Sequence, residues 1–124
     1  MYQPKLEKDI RCPLEYGLSV FGGKWKSRVI CVLADGDRLR YSALRKEMVN
    51  ITDAVLAATL KELMADDIVQ RQQFEEIPPR VEYTLTEKGR SVVPILQAIC
   101  RWSGAYHRED NAHALPRCRK CDHS

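Results

Sequence analysis

No run of apolar residues in this sequence approaches the ~18 needed to cross a membrane. The opening stretch, MYQPKLEKDIR, is too polar and charged to serve as a secretion signal. There is no glycine-rich loop for phosphate, no internal repeat and no low-complexity tract. Excess charge is also scarce: 20 basic residues stand against 17 acidic ones, a net charge of +3. Between Lys24 and Arg90 the balance is 12 basic to 11 acidic. Bulk charge therefore gives no reason to expect nucleic acid, and any such partner must be met by the placement of individual cations. Histidine is confined to His107, His113 and His123, at or beyond the end of the last expected helix and remote from any nucleophile, so no catalytic constellation emerges and no enzymatic role is expected. Five cysteines, an odd number without an export signal, are expected to be reduced thiols in the cytoplasm.

What is present suits one domain. The 124 residues are 44% hydrophobic and 30% charged, enough for a modest core. Residues 1–11 read as an arm, 12–110 as the folded domain, and 111–124 as a polar tail containing cysteine and histidine. Cys12-Pro13 opens a first helix, proline being suited to the first helical position, with Leu14, Leu18 and Phe21 at helical spacing and Gly22-Gly23 as its stop. A second helix is expected from Lys24 to Ala34, with Trp25, Val29, Val32 and Leu33 inward and Asp35-Gly36-Asp37 as a turn. Arg38 to Tyr41 leads into a third helix capped by Ser42 and ending near Met48. After the turn Val49-Asn50-Ile51, Thr52 caps a fourth helix, with Asp53 placed where a negative charge suits the helix dipole. Leu56, Leu60 and Leu63 form its inner stripe, widened by Val55, Thr59 and Met64, which leaves Ala54, Ala57, Ala58, Lys61 and Ala65 outside.

Two strands follow, Ile68 to Phe74 and Arg80 to Leu85, the second alternating Val81, Tyr83, Leu85 with Glu82 and Thr84. Pro78 and Pro79 fall at the tip of that hairpin, where no ladder hydrogen bond is lost, and stiffen it. Thr86 caps a last helix reaching about Tyr106, in which Pro94 should introduce a kink at a cost of roughly 3 kcal/mol unless packing compensates. The expected architecture is α+β and mostly α. The third and fourth helices form a helix-turn-helix, the hairpin forms a two-stranded wing, and helices are added at both ends.

These residues resemble the HxlR-type regulators, a branch of the winged helix-turn-helix proteins related to the MarR group. The resemblance rests on CPLEYGLSVFGGKW at 12–25, ITDAVLAATLKELMADDIV at 51–69, IPPRVEYTLTEKGR at 77–90 and the pair Arg101-Trp102, and covers about residues 10–106. It implies a homodimeric, cytoplasmic regulator that binds a palindromic operator on double-stranded DNA and represses nearby genes. The first and last helices would pair the subunits, the fourth helix would enter the major groove, and the wing would touch DNA beside it. Family members usually carry a basic residue where Ala54 stands here.

With that expectation, Thr52, Asp53, Ala54, Ala57, Ala58 and Lys61 make up the reading helix; the bland reading of the alanine face is a plain solvated helix. Small side chains permit a close approach to base edges, and alanine methyls suit thymine methyls. Phosphate contacts fall to Lys24, Lys26, Arg38, Arg40, Arg45 and Lys46, with Arg80 on the wing, although charge runs are ordinarily solvated faces. On the last helix Val92, Leu96, Ile99, Ser103 and Tyr106 form one stripe and Ile95, Ala98 and Trp102 a second, a breadth that favours a dimer interface. Cys12 stands at a helix N-terminus beside Arg11, a setting that favours the nucleophilic thiolate, and family members with a cysteine here often sense oxidants or electrophiles; the plain alternative is a capping residue. Cys31 and Cys100 read as inert core. Cys118, Cys121 and His123 are half of a zinc pattern, with a disordered tail or a metal-responsive regulator as the two readings and zinc the only cofactor considered. A winged-helix protein–protein module and a thiol oxidoreductase using the tail pair are the rivals from other classes.

Overall fold

The computed structural model of the chain describes residues 9–107. The tail residues Cys118, Cys121, His113 and His123 lie outside that range, as does most of the arm. The described order is α1 (Pro13–Phe21), α2 (Lys24–Gly36), β1 (Arg38–Arg40), α3 (Tyr41–Met48), α4 (Asp53–Ala65), β2 (Val69–Phe74), β3 (Arg80–Leu85) and α5 (Glu87–Gly104). The architecture is a winged helix, mostly helical, as expected.

The core is built where helical periodicity placed it. Val29, Val32 and Leu33 of α2 meet Leu44 and Met48 of α3, Leu56, Leu60 and Leu63 of α4, and Val92 and Leu96 of α5. Trp25 is only half-buried against this core, and its indole N–H makes no hydrogen bond among the described residues; instead Lys24 Nζ and Arg28 Cζ lie 4.7 and 4.9 Å from its ring centroid.

Three local expectations are corrected. The wing is not a free two-stranded ribbon: β1 joins it in an antiparallel sheet ordered β1-β3-β2, with Leu39 opposite Tyr83 and Arg71 on the far side of the same tyrosine. Helix α2 continues through Asp35 and Gly36, and the chain reverses only at Asp37, whose φ is 66°. Ser42 is not a cap, because α3 already begins at Tyr41 and its N-cap position is Arg40, without a side-chain cap bond.

The turn between α3 and α4 is tight because Val49 and Asn50 both take positive φ, 54° and 58°. For a β-branched residue that conformation is strained, and burial of Met48 and Ile51 on either side holds it in place. The N-terminus of α4 is then fixed by Thr52, whose Oγ1 accepts from the Val55 N–H at 3.2 Å. Thr86 does the same for α5: its Oγ1 accepts from the Gly89 N–H at 2.9 Å and donates to the Asp67 carbonyl at 2.6 Å. Gly89 is required there, since a Cβ would collide with the Ile68 carbonyl oxygen where β2 begins. Helix α5 runs unbroken through Pro94.

Candidate nucleic-acid interface

The buried stripe of α4 is Leu56, Thr59, Leu60 and Leu63, which leaves Asp53, Ala54, Ala57, Ala58, Lys61 and Ala65 exposed. Those residues form a smooth outer face whose first two turns carry nothing larger than Asp53. Helix α3 lies behind it and is tied to its start. Tyr41 Oη donates to Asp53 Oδ1 at 3.0 Å, and Arg45 Nε lies 3.0 Å from the same oxygen. Partial burial and then the bond to Asp53 hold the Tyr41 hydroxyl above its usual pKa of 10.0, so it stays a donor.

The cations expected to meet phosphate fall into two groups. Lys24, Arg40, Lys46 and Lys61 are exposed and make no ion pair among the described residues. Lys26, Arg38, Arg45 and Arg80 are already engaged. The Arg38 Nη1 lies 3.4 Å from Glu82 Oε1. Arg80 is the most committed: it pairs with Glu76 at 2.8 Å and, more loosely, with Glu82 at 3.7 Å, and its guanidinium lies 4.1 Å from the Phe74 ring centroid. Its Nε is buried without a hydrogen bond, since 3.7 Å is an ion-pair distance and too long for one. Arg80 thus stiffens the base of the wing tip. A cation that the sequence reading passed over, Arg71 on β2, is exposed and carries no ion pair among the described residues. The signal available for it was only an outward arginine within a glutamine-rich strand.

This geometry agrees with what the chain resembles. The HxlR-like helix-turn-helix family matches residues 20–111. The chain belongs to the HxlR-like helix-turn-helix family. An uncharacterized HTH-type transcriptional regulator of Methanothermobacter thermautotrophicus is 45% identical over 107 residues, covering 85% of this chain and 81% of that protein. The HTH-type regulator YkvN of Bacillus subtilis is 42% identical over 105 residues, covering 85% and 88%. Among solved structures, the redox regulator HypR in its oxidized form superposes with a TM-score of 0.71 at 40% identity, over 80% of this chain and all 100% of that one. The reduced form of YodB from B. subtilis gives 0.72 at 35% identity, over 82% and 100%. This HxlR-like chain is accordingly a transcriptional regulator of the winged-helix type, and regulators of this kind act by binding rather than by catalysis. No helix among the described residues is long and apolar enough to cross a membrane.

Two further features of the HxlR-like fold lie away from the reading face. Large apolar side chains are exposed mainly at the chain's two end helices: Leu14, Tyr16 and Leu18 on α1, Ile95, Ile99 and Trp102 on α5, and Tyr106 just beyond it. The expected stripes on α5 are thereby re-sorted. Val92 and Leu96 are 6% and 8% exposed and belong to the chain's own core, whereas Trp102 and Tyr106 are 69% and 79% exposed, with their rings 5.3 Å apart. The second feature is Cys12. It occupies the N-cap position of α1, is exposed, and makes no side-chain cap bond, so the thiol is not consumed in capping. The Arg11 guanidinium beside it is taken by Asp9 at 3.0 Å, and the Arg11 N–H donates to Glu15 Oε1 at 2.9 Å. Cys31 and Cys100 are half-buried.

Helix α1 is tied to the reading head by two lysines, a connection that sequence spacing did not reveal. Lys26 Nζ donates to the Ser19 carbonyl at 3.0 Å and pairs with Glu62 of α4 at 3.3 Å. Lys88 Nζ donates to Tyr16 Oη at 2.8 Å and to the Asp66 carbonyl, just past the end of α4, at 2.9 Å. The bond to Tyr16 raises the Lys88 pKa above the ordinary lysine value, with Asp66 and Asp67 adding to the effect against the cost of desolvation.

Proposed function

We propose that the chain acts as a homodimer, paired through α1 and α5, on a palindromic operator, and that it represses by occupying promoter DNA. The observation that carries this reading is the separation of surfaces. The smooth, small-residue face of α4 is exposed at one place, and the large apolar side chains of α1 and α5 are exposed at others. Contiguous exposed apolar surface marks association, and a two-fold pair of helix-turn-helix heads matches half-sites one DNA turn apart. Lys24, Arg40, Lys46, Lys61 and Arg71 supply phosphate contacts, and Arg45, Thr52, Asp53, Ala54, Ala57 and Ala58 form the groove-facing surface. Lys26, Arg38 and Arg80 support it from within the protein. The test is binding of operator fragments as a function of salt: several phosphate contacts per dimer require a steep linear fall of log affinity with log salt. A salt-independent association with DNA would refute it.

We further propose that Cys12 is the point at which an oxidant or an electrophile acts. The thiol is exposed, uncapped, and placed on α1, whose Tyr16 and Ser19 are joined through Lys88 and Lys26 to the end and the middle of α4. Relatives of similar fold include a regulator described in an oxidized form and YodB described in a reduced form, which supports redox sensing in this chain. A disulfide or adduct at Cys12 would move α1 and, through those lysines, change the relative pose of the two reading helices. Replacement of Cys12 by Ser should leave DNA binding intact and abolish its release by a thiol oxidant. A Cys12→Ser variant that still releases DNA would place the sensor elsewhere.

A further inference from the structure

The first two turns of α4 offer the groove a single free hydrogen-bonding side chain. Thr52 Oγ1 is spent on the cap bond to the Val55 N–H, and Ala54, Ala57 and Ala58 have no polar atoms. Lys61 stands more than two turns along from the helix start. That leaves Asp53, at the first helical position, with its side chain 70% exposed. Its carboxylate is not free to turn. Oδ1 accepts from Tyr41 Oη at 3.0 Å and lies 3.0 Å from Arg45 Nε, both partners belonging to α3. Oδ2 has no hydrogen-bond partner among the described residues.

A bare carboxylate would be repelled by the phosphates that flank a groove. Here the Arg45 guanidinium offsets that charge, and the two contacts from α3 fix the plane of the group before DNA arrives. We infer that Asp53 is a specificity-determining residue of the reading head, its Oδ1 held by Tyr41 and Arg45 and its Oδ2 accepting a hydrogen bond from an exocyclic amino group in the major groove. The amino group is the N4 of cytosine or the N6 of adenine, the two donors that base edges present there. Guanine offers N7 and O6 at the same edge and thymine offers O4, all acceptors, and a carboxylate opposite any of them meets lone pair against lone pair. Discrimination therefore comes as much from rejecting the wrong base as from binding the right one. This inference rests on the proposed reading of α4 as the helix that enters the groove.

Selection from a random duplex library, with the full-length wild type and the variants Asp53→Ala and Asp53→Asn, tests it. Helicity and dimer state are checked for each protein first. The wild type should favour cytosine or adenine at one position of each half-site by roughly ten-fold, and which of the two it favours identifies the donor. Asp53→Ala should flatten that position alone, keep the remaining preferences, and bind random duplex more tightly, because a negative charge has been removed. Asp53→Asn, which is nearly isosteric and carries the test if the alanine variant does not fold, should shift the position toward adenine, whose N6 and N7 an amide meets together. The inference is overturned if Asp53→Ala leaves every positional preference unchanged, or lowers binding evenly at all positions, since Asp53 then serves only to tie α3 to α4. If the wild type enriches no sequence at all, the parent reading of α4 fails and this inference with it. That outcome is visible in the wild-type arm alone.

Discussion

Replacing Trp102 by Ala tests the dimer where the structure makes the largest commitment. A tryptophan side chain carries about 200 Å² of surface, and Trp102 leaves 69% of its own exposed in the single chain. Covering that remainder would remove roughly 140 Å² from water, about 3.5 kcal/mol at ~25 cal/mol/Å². In a two-fold dimer the residue counts twice, about 7 kcal/mol for full coverage. Incomplete coverage and the ordering of side chains at the interface bring the expected loss to about 3 kcal/mol, or roughly 100-fold in the dimer dissociation constant. Sedimentation equilibrium over a concentration series reads this directly. Leu96→Ala is the matched control: at 8% exposure Leu96 is a core residue, and its truncation should cost about 2–5 kcal/mol of folding stability. Its effect on the melting temperature should exceed that of Trp102→Ala, while association of the folded protein should suffer less. A wild type that sediments as a monomer at micromolar concentration, or a Trp102→Ala variant that associates as tightly as the wild type, would refute the reasoning.

Arg71→Ala should flatten the slope of log affinity against log salt by about 1, the signature of one lost phosphate contact, whereas Arg80→Ala, already neutralised by Glu76 and Glu82, should change the slope little and loosen the wing, as hydrogen exchange in β2 and β3 would show. Lys88→Met should remove the tie between Tyr16 and Asp66, so that reduced protein still binds its operator while oxidation at Cys12 shifts the affinity less than in the wild type; an undiminished shift would show that the signal travels another way. Tyr41 has its pKa raised in the folded chain, so the stability it lends through Asp53 should be present below pH ~10 and be lost as the pH rises through the raised value. Its phenolate absorbance should appear later than that of a model tyrosine, and Asp53→Ala should bring it back.

The helices and the reading face were legible in the sequence because they rest on local rules. The spacing of Leu56, Leu60 and Leu63 dictated which side of α4 is buried, and Thr52 announced its start. Strand β1 was not legible, since three residues with one inward side chain, Leu39, give no period to detect, and only pairing with β3 makes Arg38–Arg40 a strand. The pattern on α5 was misjudged at Leu96 because an amphipathic period marks an apolar stripe without saying which part the chain itself covers; α2 and β3 take Val92 and Leu96, leaving Ile95, Ile99 and Trp102. Least visible were the charges. Whether Arg80 is available to phosphate depends on Glu76, Glu82 and Phe74, and Lys88 reaches Tyr16 across 72 positions of sequence. A lysine's composition carries no mark of so distant a partner.

The account stands most directly on α4 entering DNA as one of a symmetric pair, and footprinting of genomic fragments retained by the purified protein measures that. The wild type should protect two half-sites related by a dyad, with centres about one helical turn, ~34 Å, apart. Ala57→Glu, which sets a carboxylate on the exposed face of α4, should remove the protection at equal fold stability. Fragments without a dyad, or protection that survives Ala57→Glu undiminished, would contradict it.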